Sequence, residues 1–354
     1  MKKAIPFFIS AFLLFSCQKT NSVIPDDRSS MYFPSDTGSE WEKISPAQLG
    51  WKTAALEDLK NYLSEKNTKA FLILVNGRIA VESYLNGHSE HSEWEWNSAG
   101  KTLVAATAGI AQQEGYFQLE DKVSDYLGAG WTNMPKQKED LIKIRHLLSM
   151  TSGIDESSQI VSQPNLTYKA DAGTRWAYHN VFQKLMPVIT NATDEDFELY
   201  FNEKLKNKIG MDGFWNFGLI FNIYHSTARS MARFGLLELN KGKWKTEQIV
   251  NENFFNLSIN SSQSINPSYG FLTWLNGKSK YMIPNSQIVF AGSLIPNAPA
   301  DMFAAMGASD QRIYIVPSKN MVIVRMGEAS DPANPTFAVS GFDSELWSKL
   351  NAIW

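Results

Sequence analysis

Ser98 and Lys101 form a Ser-x-x-Lys pair at the start of a predicted helix. Three residues apart on a helix, the two side chains share one face. A serine hydroxyl is a weak nucleophile until a neighbouring group takes its proton, and a neutral lysine can do so. Free backbone N–H groups and the positive end of the helix dipole favour an oxyanion near Ser98. The pair therefore predicts acyl transfer through a serine nucleophile.

The predicted helix after Lys101 is apolar on nearly every side, from Leu103 to Ala111. This composition is typical of a buried helix, and Gly115 is a plausible C-cap. Burial lowers the pKa of a lysine, as a lysine base requires. The alternative is a helix-start serine beside a lysine that reaches solvent. Spacing alone does not exclude it, since Ser16 and Lys19 have the same spacing with no catalytic meaning.

Tyr178 and Asn180 form a Tyr-x-Asn pattern that offers a proton shuttle and an amide able to bond both the lysine and a substrate. The pattern is weak, because it also occurs at Tyr84 and at Tyr200. Only Tyr178 lies in a glycine-bounded loop between predicted helices, where catalytic groups are often found.

An oxyanion requires two backbone N–H donors, one of which would be that of Ser98. The second is expected from a strand that breaks at Gly307, where substrate would approach the backbone closely. A plain hairpin turn at Gly307 is the alternative.

Composition excludes several classes of function. The chain has 354 residues, a net charge of -3 and no basic stripe, so nucleic-acid binding is not expected. A single cysteine, Cys17, precludes an internal disulfide. Five histidines without Cys/His clustering predict no metal site, and the serine chemistry requires no organic cofactor.

The order of predicted elements indicates one α/β domain over residues 41–354. Two early strands meet at Asn76-Gly77, a strong hairpin signal. A helical middle follows, then strands near 288–291, 301–306, 313–317 and 322–326 and a last helix near 341–353. We therefore expect an α/β lobe of about 41–97 and 285–354, an inserted helical lobe of about 98–284, and a cleft between them.

The N-terminus predicts export. Residues 1–17 combine a Lys2-Lys3 start, a short apolar run and the only cysteine. They resemble a bacterial lipoprotein signal, which implies lipidation of Cys17 and a membrane tether in the cell envelope. An ordinary signal peptide is the alternative. Residues 18–40 are expected to be a flexible tether.

In combination, these motifs resemble the serine β-lactamase and penicillin-binding-protein superfamily, in its branch of class C β-lactamases, D-alanyl-D-alanine carboxypeptidases and esterases. Ser98 and Lys101 match its first motif, and Tyr178 and Asn180 its second. The resemblance implies an antiparallel sheet flanked by helices with an inserted all-helical lobe. Supporting stretches lie at 144–153, 173–178, 227–237 and 311–317.

The third motif departs from the family pattern of Lys-Thr-Gly or His-Thr-Gly. The matching triplet is Ala305-Met306-Gly307, and the resemblance implies that the Ala308 N–H is the second oxyanion donor. Ala305 lacks the cation that helps to hold a substrate carboxylate, which weakens the case for an efficient β-lactamase. Asp310 is expected to be either a solvated turn residue or an acid at the cleft rim.

The resemblance implies a monomeric serine hydrolase in which Lys101 and Tyr178 share the proton of Ser98. Its expected substrates are esters or small amides. A cell-wall D-amino-acid peptidase, a β-lactamase and a non-catalytic binding or sensing protein remain alternatives. His146 and His179 are weak candidates for chemistry. An aromatic wall of Trp94, Trp96 and Trp176 and simple packing explain those tryptophans equally well.

Overall fold

The computed structural model describes residue 1 and residues 30–218, 220–336 and 338–354. The signal segment 1–17, with Cys17, and residues 18–29 of the expected tether therefore lie outside the described residues, apart from Met1. Residues 30–36 do not behave as a tether. The Tyr32 N–H donates to the Asn76 carbonyl, and the Arg233 guanidinium donates to the Ser35 carbonyl. This part of the chain packs on the domain because its backbone finds hydrogen-bond partners there.

A six-stranded sheet forms the centre of the fold, with strand order β2-β1-β13-β12-β11-β8 and every neighbouring pair antiparallel. Smaller sheets join β3 to β5 and β4, β6 to β7, and β9 to β10. The strands are β1 Thr68–Val75, β2 Arg78–Tyr84, β3 Trp94–Glu95, β4 Phe214–Phe217, β5 Asn222–Ser226, β6 Lys243–Trp244, β7 Glu247–Gln248, β8 Trp274–Leu275, β9 Lys280–Tyr281, β10 Phe290–Ala291, β11 Phe303–Gly307, β12 Gln311–Val316 and β13 Met321–Gly327.

Most of the helices lie between β2 and β11 in the chain. The α-helices are α1 Thr53–Glu65, α2 Lys101–Gln113, α3 Ser124–Leu127, α4 Lys136–Glu139, α5 Ile144–Leu148, α6 Leu185–Thr193, α7 Phe197–Phe201, α8 Ala228–Leu239, α9 Glu252–Ser258 and α10 Gly341–Asn351. Short 3-10 turns include Asn97–Gly100, Asn180–Lys184 and Ala308–Asp310.

Helices cover both faces of the main sheet. Successive side chains of a strand point to opposite faces, and β12 uses both. Arg312 reaches Asp343 on α10, whereas Ile313 lies against Gly235 of α8. Helix α1 packs beside α10, where the Tyr62 and Phe342 rings stack 5.9 Å apart. The sheet is thus buried on both sides, as its run of apolar residues requires.

The predicted fold class is confirmed: the chain is an α/β protein with an antiparallel sheet and flanking helices. The hairpin turn lies at Asn76-Gly77, and both residues have positive φ, as a tight hairpin turn requires. Helix α2 is buried and ends as predicted. The Gly115 N–H bonds the Gln112 carbonyl, and the Tyr116 N–H bonds the Ala111 carbonyl, the pattern of a Schellman C-cap.

Three local features differ from the predictions. The apolar spacing of Leu49, Leu56, Leu59 and Leu63 predicts one amphipathic helix from Ser45-Pro46 to near Glu65. The structure divides it, because Gly50 adopts φ 72 and separates a 3-10 turn at Pro46–Leu49 from α1. Strands β4 and β5 lie in a segment for which no strand was predicted. Strand β8 supplies an edge of the main sheet from residues 274–275, ahead of residue 285, where the α/β lobe was expected to resume.

Candidate active site

Ser98 lies in the 3-10 turn Asn97–Gly100, and Lys101 is the first residue of α2. The predicted helix start is therefore one tight turn followed by the α-helix. The Lys101 Nζ and the Ser98 Oγ are 2.7 Å apart. The lysine side chain is within hydrogen-bond reach of the hydroxyl whose proton a base would remove.

Lys101 is 4 % exposed, and burial alone lowers its pKa to about 7. Its Nζ lies 4.7 Å from the centre of the Tyr178 ring and 4.6 Å from that of Phe182. The two aromatic faces favour the ammonium, but they do not offset its desolvation. A large share of Lys101 is therefore neutral near pH 7, as a general base must be.

Tyr178 completes a cluster with Ser98 and Lys101. Its hydroxyl is buried and has no hydrogen-bond partner among the described residues. Burial raises the pKa of Tyr178 well above its usual value, and the nearby Ser98 hydroxyl opposes part of that rise. The Ser98 hydroxyl thus acts to lower the Tyr178 pKa, although the two hydroxyls do not form a hydrogen bond. The Tyr178 ring is held by Trp274, stacked 5.8 Å away, and by Tyr269 at 6.2 Å.

Asn180 lines the same pocket but differs from its expected role. Its Nδ2 donates to the Gln159 carbonyl at 3.2 Å, and its backbone N–H donates to the Gln159 Oε1 at 3.1 Å. The expected bond from Asn180 to Lys101 is not among the hydrogen bonds of the described residues. Gln159, which the sequence did not single out, instead fixes the orientation of Asn180.

Gly307 and Ala308 lie directly against the Ser98 turn. A Cβ on Gly307 would be 2.4 Å from the Trp96 carbonyl oxygen and 3.1 Å from the Ser98 nitrogen. Glycine is required because the Ser98 turn, not a substrate, approaches its backbone closely. Ala308 lines the pocket with Ser98, and its carbonyl accepts a bond from the Asn97 Nδ2 at 3.2 Å.

Asp310 is neither of the two alternatives predicted for it. It is 4 % exposed, and its Oδ1 lies 2.9 Å from a guanidinium nitrogen of Arg312. It also accepts hydrogen bonds from the Ser330 N–H and the Ser340 hydroxyl. The carboxylate is a buried, paired group on the side of the sheet that faces α10, so it does not reach the cleft.

The pocket around Ser98 has a volume of about 180 Å³. Its lining combines polar and small residues with apolar ones. These residues are Asn97, Ser98, Gly100, Lys101, Asn180, Phe182, Gln183, Trp215, Phe221, Asn222, Ile223 and Ala308. Lys101 is the one charged side chain among these lining residues. Ala305 and Met306 are buried and bring no cation to it.

The other aromatic and histidine candidates lie elsewhere. Trp96 and Trp176 are fully buried, and Trp94 donates to the Gly327 carbonyl, so the pocket wall is formed by Phe182, Trp215 and Phe221 instead. The position of Phe182 in the wall could have been predicted, because it follows Asn180 of the Tyr-x-Asn motif by two residues. Trp215 and Phe221 could not, because nothing local links residues 214–226 to Ser98.

Both histidines have structural roles. The His146 Nδ1 accepts a bond from the Lys143 N–H, and burial lowers the pKa of His146 to about 4. The His179 Nδ1 caps the Val181 N–H, and its Nε2 lies 2.6 Å from the Ser158 carbonyl oxygen. Each ring is held by backbone groups away from the Ser98 hydroxyl.

No cluster of three or more His, Cys, Asp or Glu side chains suited to a metal ion occurs in the described part of the chain. Within residues 30–354, leaving aside 219 and 337, no helix combines the length and hydrophobicity needed to cross a bilayer.

Comparison with known proteins gives one family and several similar folds. A family model described as Beta-lactamase matches residues 63–337. No curated protein matches the chain. A structure named "Putative 6-aminohexanoate-dimer hydrolase from Bacillus anthracis" is similar, with a TM-score of 0.67 and 18% identity over 91% of this chain and 88% of that chain.

Two other solved structures are also similar. A β-lactamase from Mycobacterium bovis has a TM-score of 0.58 and 19% identity over 84% of this chain and 97% of that chain. EstCE1, a hydrolase with promiscuous acyltransferase activity, has a TM-score of 0.60 and 14% identity over 85% of this chain and 98% of that chain. At these identities the likeness concerns the fold.

Proposed function

Because the chain belongs to the β-lactamase family, we propose that it is a serine hydrolase that acts on neutral esters or small amides through an acyl-enzyme on Ser98. The observation that carries this proposal is the buried Lys101, whose Nζ lies 2.7 Å from the Ser98 Oγ. Among the described residues that line the pocket, Lys101 is also the one charged side chain. The contact between Lys101 and Ser98 supports a serine nucleophile. The lack of a second charged residue in the described lining favours substrates without a carboxylate.

In the proposed acylation step, the Ser98 Oγ bonds to the substrate carbonyl carbon and gives its proton to the Lys101–Tyr178 pair. The N–H groups of Ser98 and Ala308 hold the oxyanion. The bond from carbon to the alkoxide or amine then breaks, and the leaving group takes a proton from Tyr178. In deacylation a water oxygen bonds to the acyl carbon and gives one proton to the Lys101–Tyr178 pair. The bond between that carbon and the Ser98 Oγ then breaks, the acid leaves, and the pair returns the proton to Ser98.

The neutral-substrate preference rests on the third motif. A carboxylate-bearing substrate would need a cation beside Ser98 other than the base, and Ala305 does not supply one. Loss of a charge-assisted hydrogen bond costs about 1.5–3 kcal/mol. The similar structures named as a β-lactamase and as an acyltransferase-active hydrolase share the fold, so the choice between these substrates rests on the pocket.

The test compares a short-chain p-nitrophenyl ester with a chromogenic cephalosporin, using a chain from about residue 20 and its Ser98→Ala variant. We expect ester turnover that Ser98→Ala lowers by at least about 10³-fold, and little cephalosporin turnover. Covalent labelling of Ser98 by a fluorophosphonate is a second readout. Faster cephalosporin turnover would favour a β-lactamase. Labelling or turnover that persists in Ser98→Ala would remove Ser98 as the nucleophile.

We also propose that the protein is exported and anchored in the cell envelope through Cys17. The support is the sequence of residues 1–17, with a basic start, a short apolar run and the lone cysteine. In a bacterial host, Cys17→Ser should move the protein from the membrane to the soluble envelope fraction. An unchanged distribution would contradict lipidation at this residue.

A further inference from the structure

The hairpin of β4 and β5 places large apolar side chains in solvent next to the pocket. Phe217 is 51 % exposed, Ile220 39 % and Phe221 50 %. Exposed apolar side chains are ordinary when scattered, but a cluster at the mouth of a pocket is typical of a binding surface. We call Phe217, Ile220 and Phe221 the hairpin patch.

The hairpin patch continues the pocket wall. Phe221 itself lines the pocket, as does Trp215. Side chains two apart on a strand share one face, so Phe217 lies on the same face of β4 as Trp215. Their rings stack with centroids 6.4 Å apart. An apolar surface therefore continues from Trp215, in the pocket lining, to the exposed Phe217 outside it.

A side-chain amide fixes the hairpin in this position. The Gln183 Nε2 donates to the Ile220 carbonyl at 2.9 Å, and the Asn222 N–H donates to the Gln183 Oε1 at 2.8 Å. Gln183 is buried and follows Asn180 by three residues in the same 3-10 turn. The turn that carries Asn180 thus also holds the patch over the pocket.

The pocket is small for a whole substrate. Its volume of about 180 Å³ is below the range of about 300–1,000 Å³ that is typical of small-molecule sites. A short acyl group fits inside. A longer chain must extend beyond the pocket, and the uncharged hairpin patch adjoins the pocket at Phe221.

We propose that the hairpin patch binds the apolar acyl chain of the substrate, so that the enzyme prefers medium- or long-chain acyl esters or amides to acetyl compounds. This inference rests on the proposed serine hydrolase function. Each methylene that leaves water favours binding by up to about fourfold. Because the patch is exposed, we expect a smaller gain per methylene than for full burial.

The experiment measures kcat/KM for p-nitrophenyl acetate, butyrate and octanoate below their aggregation limits. We expect the octanoate-to-acetate ratio to exceed one in the wild type and to fall about tenfold in Phe217→Ser, a loss equivalent to removing fewer than two fully buried methylenes. Phe217→Leu should retain most of the ratio. Leu257→Ser, on the exposed face of α9 at 45 % exposure, is the matched control and should leave it unchanged.

The inference is overturned if the octanoate-to-acetate ratio of the wild type is one or less, or if Phe217→Ser has the same ratio as the wild type. In either case, Ser98-dependent turnover of the acetate ester would still support the proposed function. Absence of Ser98-dependent turnover of any ester would overturn both. Gel filtration at the assay concentration adds one further check. If Phe217→Ser converts a dimer to a monomer, the hairpin patch is a self-association surface and the acyl-chain assignment is wrong.

Discussion

Two buried polar clusters meet at Gly307, and they differ in whether their cation is paired with a carboxylate. On the pocket side, Lys101 has a single hydrogen bond, to Ser98, and Tyr178 has none among the described residues. On the α10 side, the fully buried Arg312 donates to both carboxylate oxygens of Asp343, at 2.7 and 3.0 Å, and to Asp310 at 2.9 Å.

The two arrangements indicate that one cluster supports the fold and that the other is available for chemistry. Arg312 pairs with two carboxylates and bonds the carbonyls of Gly307 and Ala338, so its charge is fully compensated. Lys101 has no such compensation, and its pKa falls to about 7. A buried ammonium without an ion-pair partner costs stability, which makes Lys101 a candidate for chemistry and Arg312 a candidate for a structural role.

The structural cluster also serves the pocket. The Arg312 Nη1 donates to the Gly307 carbonyl at 2.8 Å, and the Gly307 backbone is packed against the Ser98 turn. The Arg312 cluster therefore supports the Gly307–Ala308 backbone from the α10 side. Under the proposed mechanism this support holds the Ala308 N–H in place before charge develops on the substrate oxygen, as an oxyanion donor requires.

Substitution of Lys101 should have the greatest effect, and this effect should be on activity without a loss of stability. Lys101→Met should lower kcat by about 10²–10⁴-fold, the contribution of a positioned general base. Its free energy of unfolding at pH 7 should equal or exceed that of the wild type, because a desolvated ammonium is removed. The measurements are ester turnover and urea unfolding, with the exposed Lys60→Met as control. A strongly destabilised Lys101→Met would make the lysine a structural group.

The pH dependence of stability gives an independent check on Lys101. Its pKa of about 7 in the folded chain lies below the ordinary value of 10.5. The unfolded chain therefore binds more protons between pH 7 and 10.5, and the contribution of this group to stability rises with pH across that window. Lys101→Met should lose this rise, whereas Lys60→Met should keep it.

The next effect is on stability. Asp343→Ala should lower the free energy of unfolding by about 3–5 kcal/mol, because Arg312 and the Tyr314 hydroxyl lose a buried partner. The exposed Asp58→Ala should change it by less than about 0.5 kcal/mol. Urea unfolding measures both. Near-equal stabilities would show that the α10 side is not the structural cluster that its hydrogen bonds indicate.

The smallest effect is on the pH profile of turnover. If neutral Lys101 is the base, kcat/KM should fall about tenfold per pH unit below pH 7 and level off above it. Burial lowers the pKa of the neighbouring His179 below its usual value, so His179→Asn is the control and should keep the same profile. A profile that shifts in His179→Asn would assign the titration to the histidine.

Much of the fold could be predicted from local sequence. Asn76-Gly77 between two apolar runs determined the hairpin, because few residues adopt the positive φ that such a turn requires. The apolar run after Lys101 determined a buried helix, and Gly115 its end. These features depend on backbone conformation and periodicity, which neighbouring residues specify.

The pairing of Ser98 with Lys101 was also within reach of the sequence, because a spacing of three already brings two side chains to one face. The role of Asp310 was not. Its burial and its pairing with Arg312 depend on α10, which begins some thirty residues later. Short-range patterns carry no information about that contact.

Local sequence was thus enough to pair Ser98 with Lys101 and to predict the elements that carry them. Tertiary structure alone decided that Asn180 bonds Gln159, that Gly307 admits the Ser98 turn, and that the pocket wall comes from the β4–β5 hairpin. The difference lies in how far apart along the chain the contacting residues are. A helical spacing fixes neighbours within one turn, whereas a pocket wall is formed by packing between segments more than a hundred residues apart.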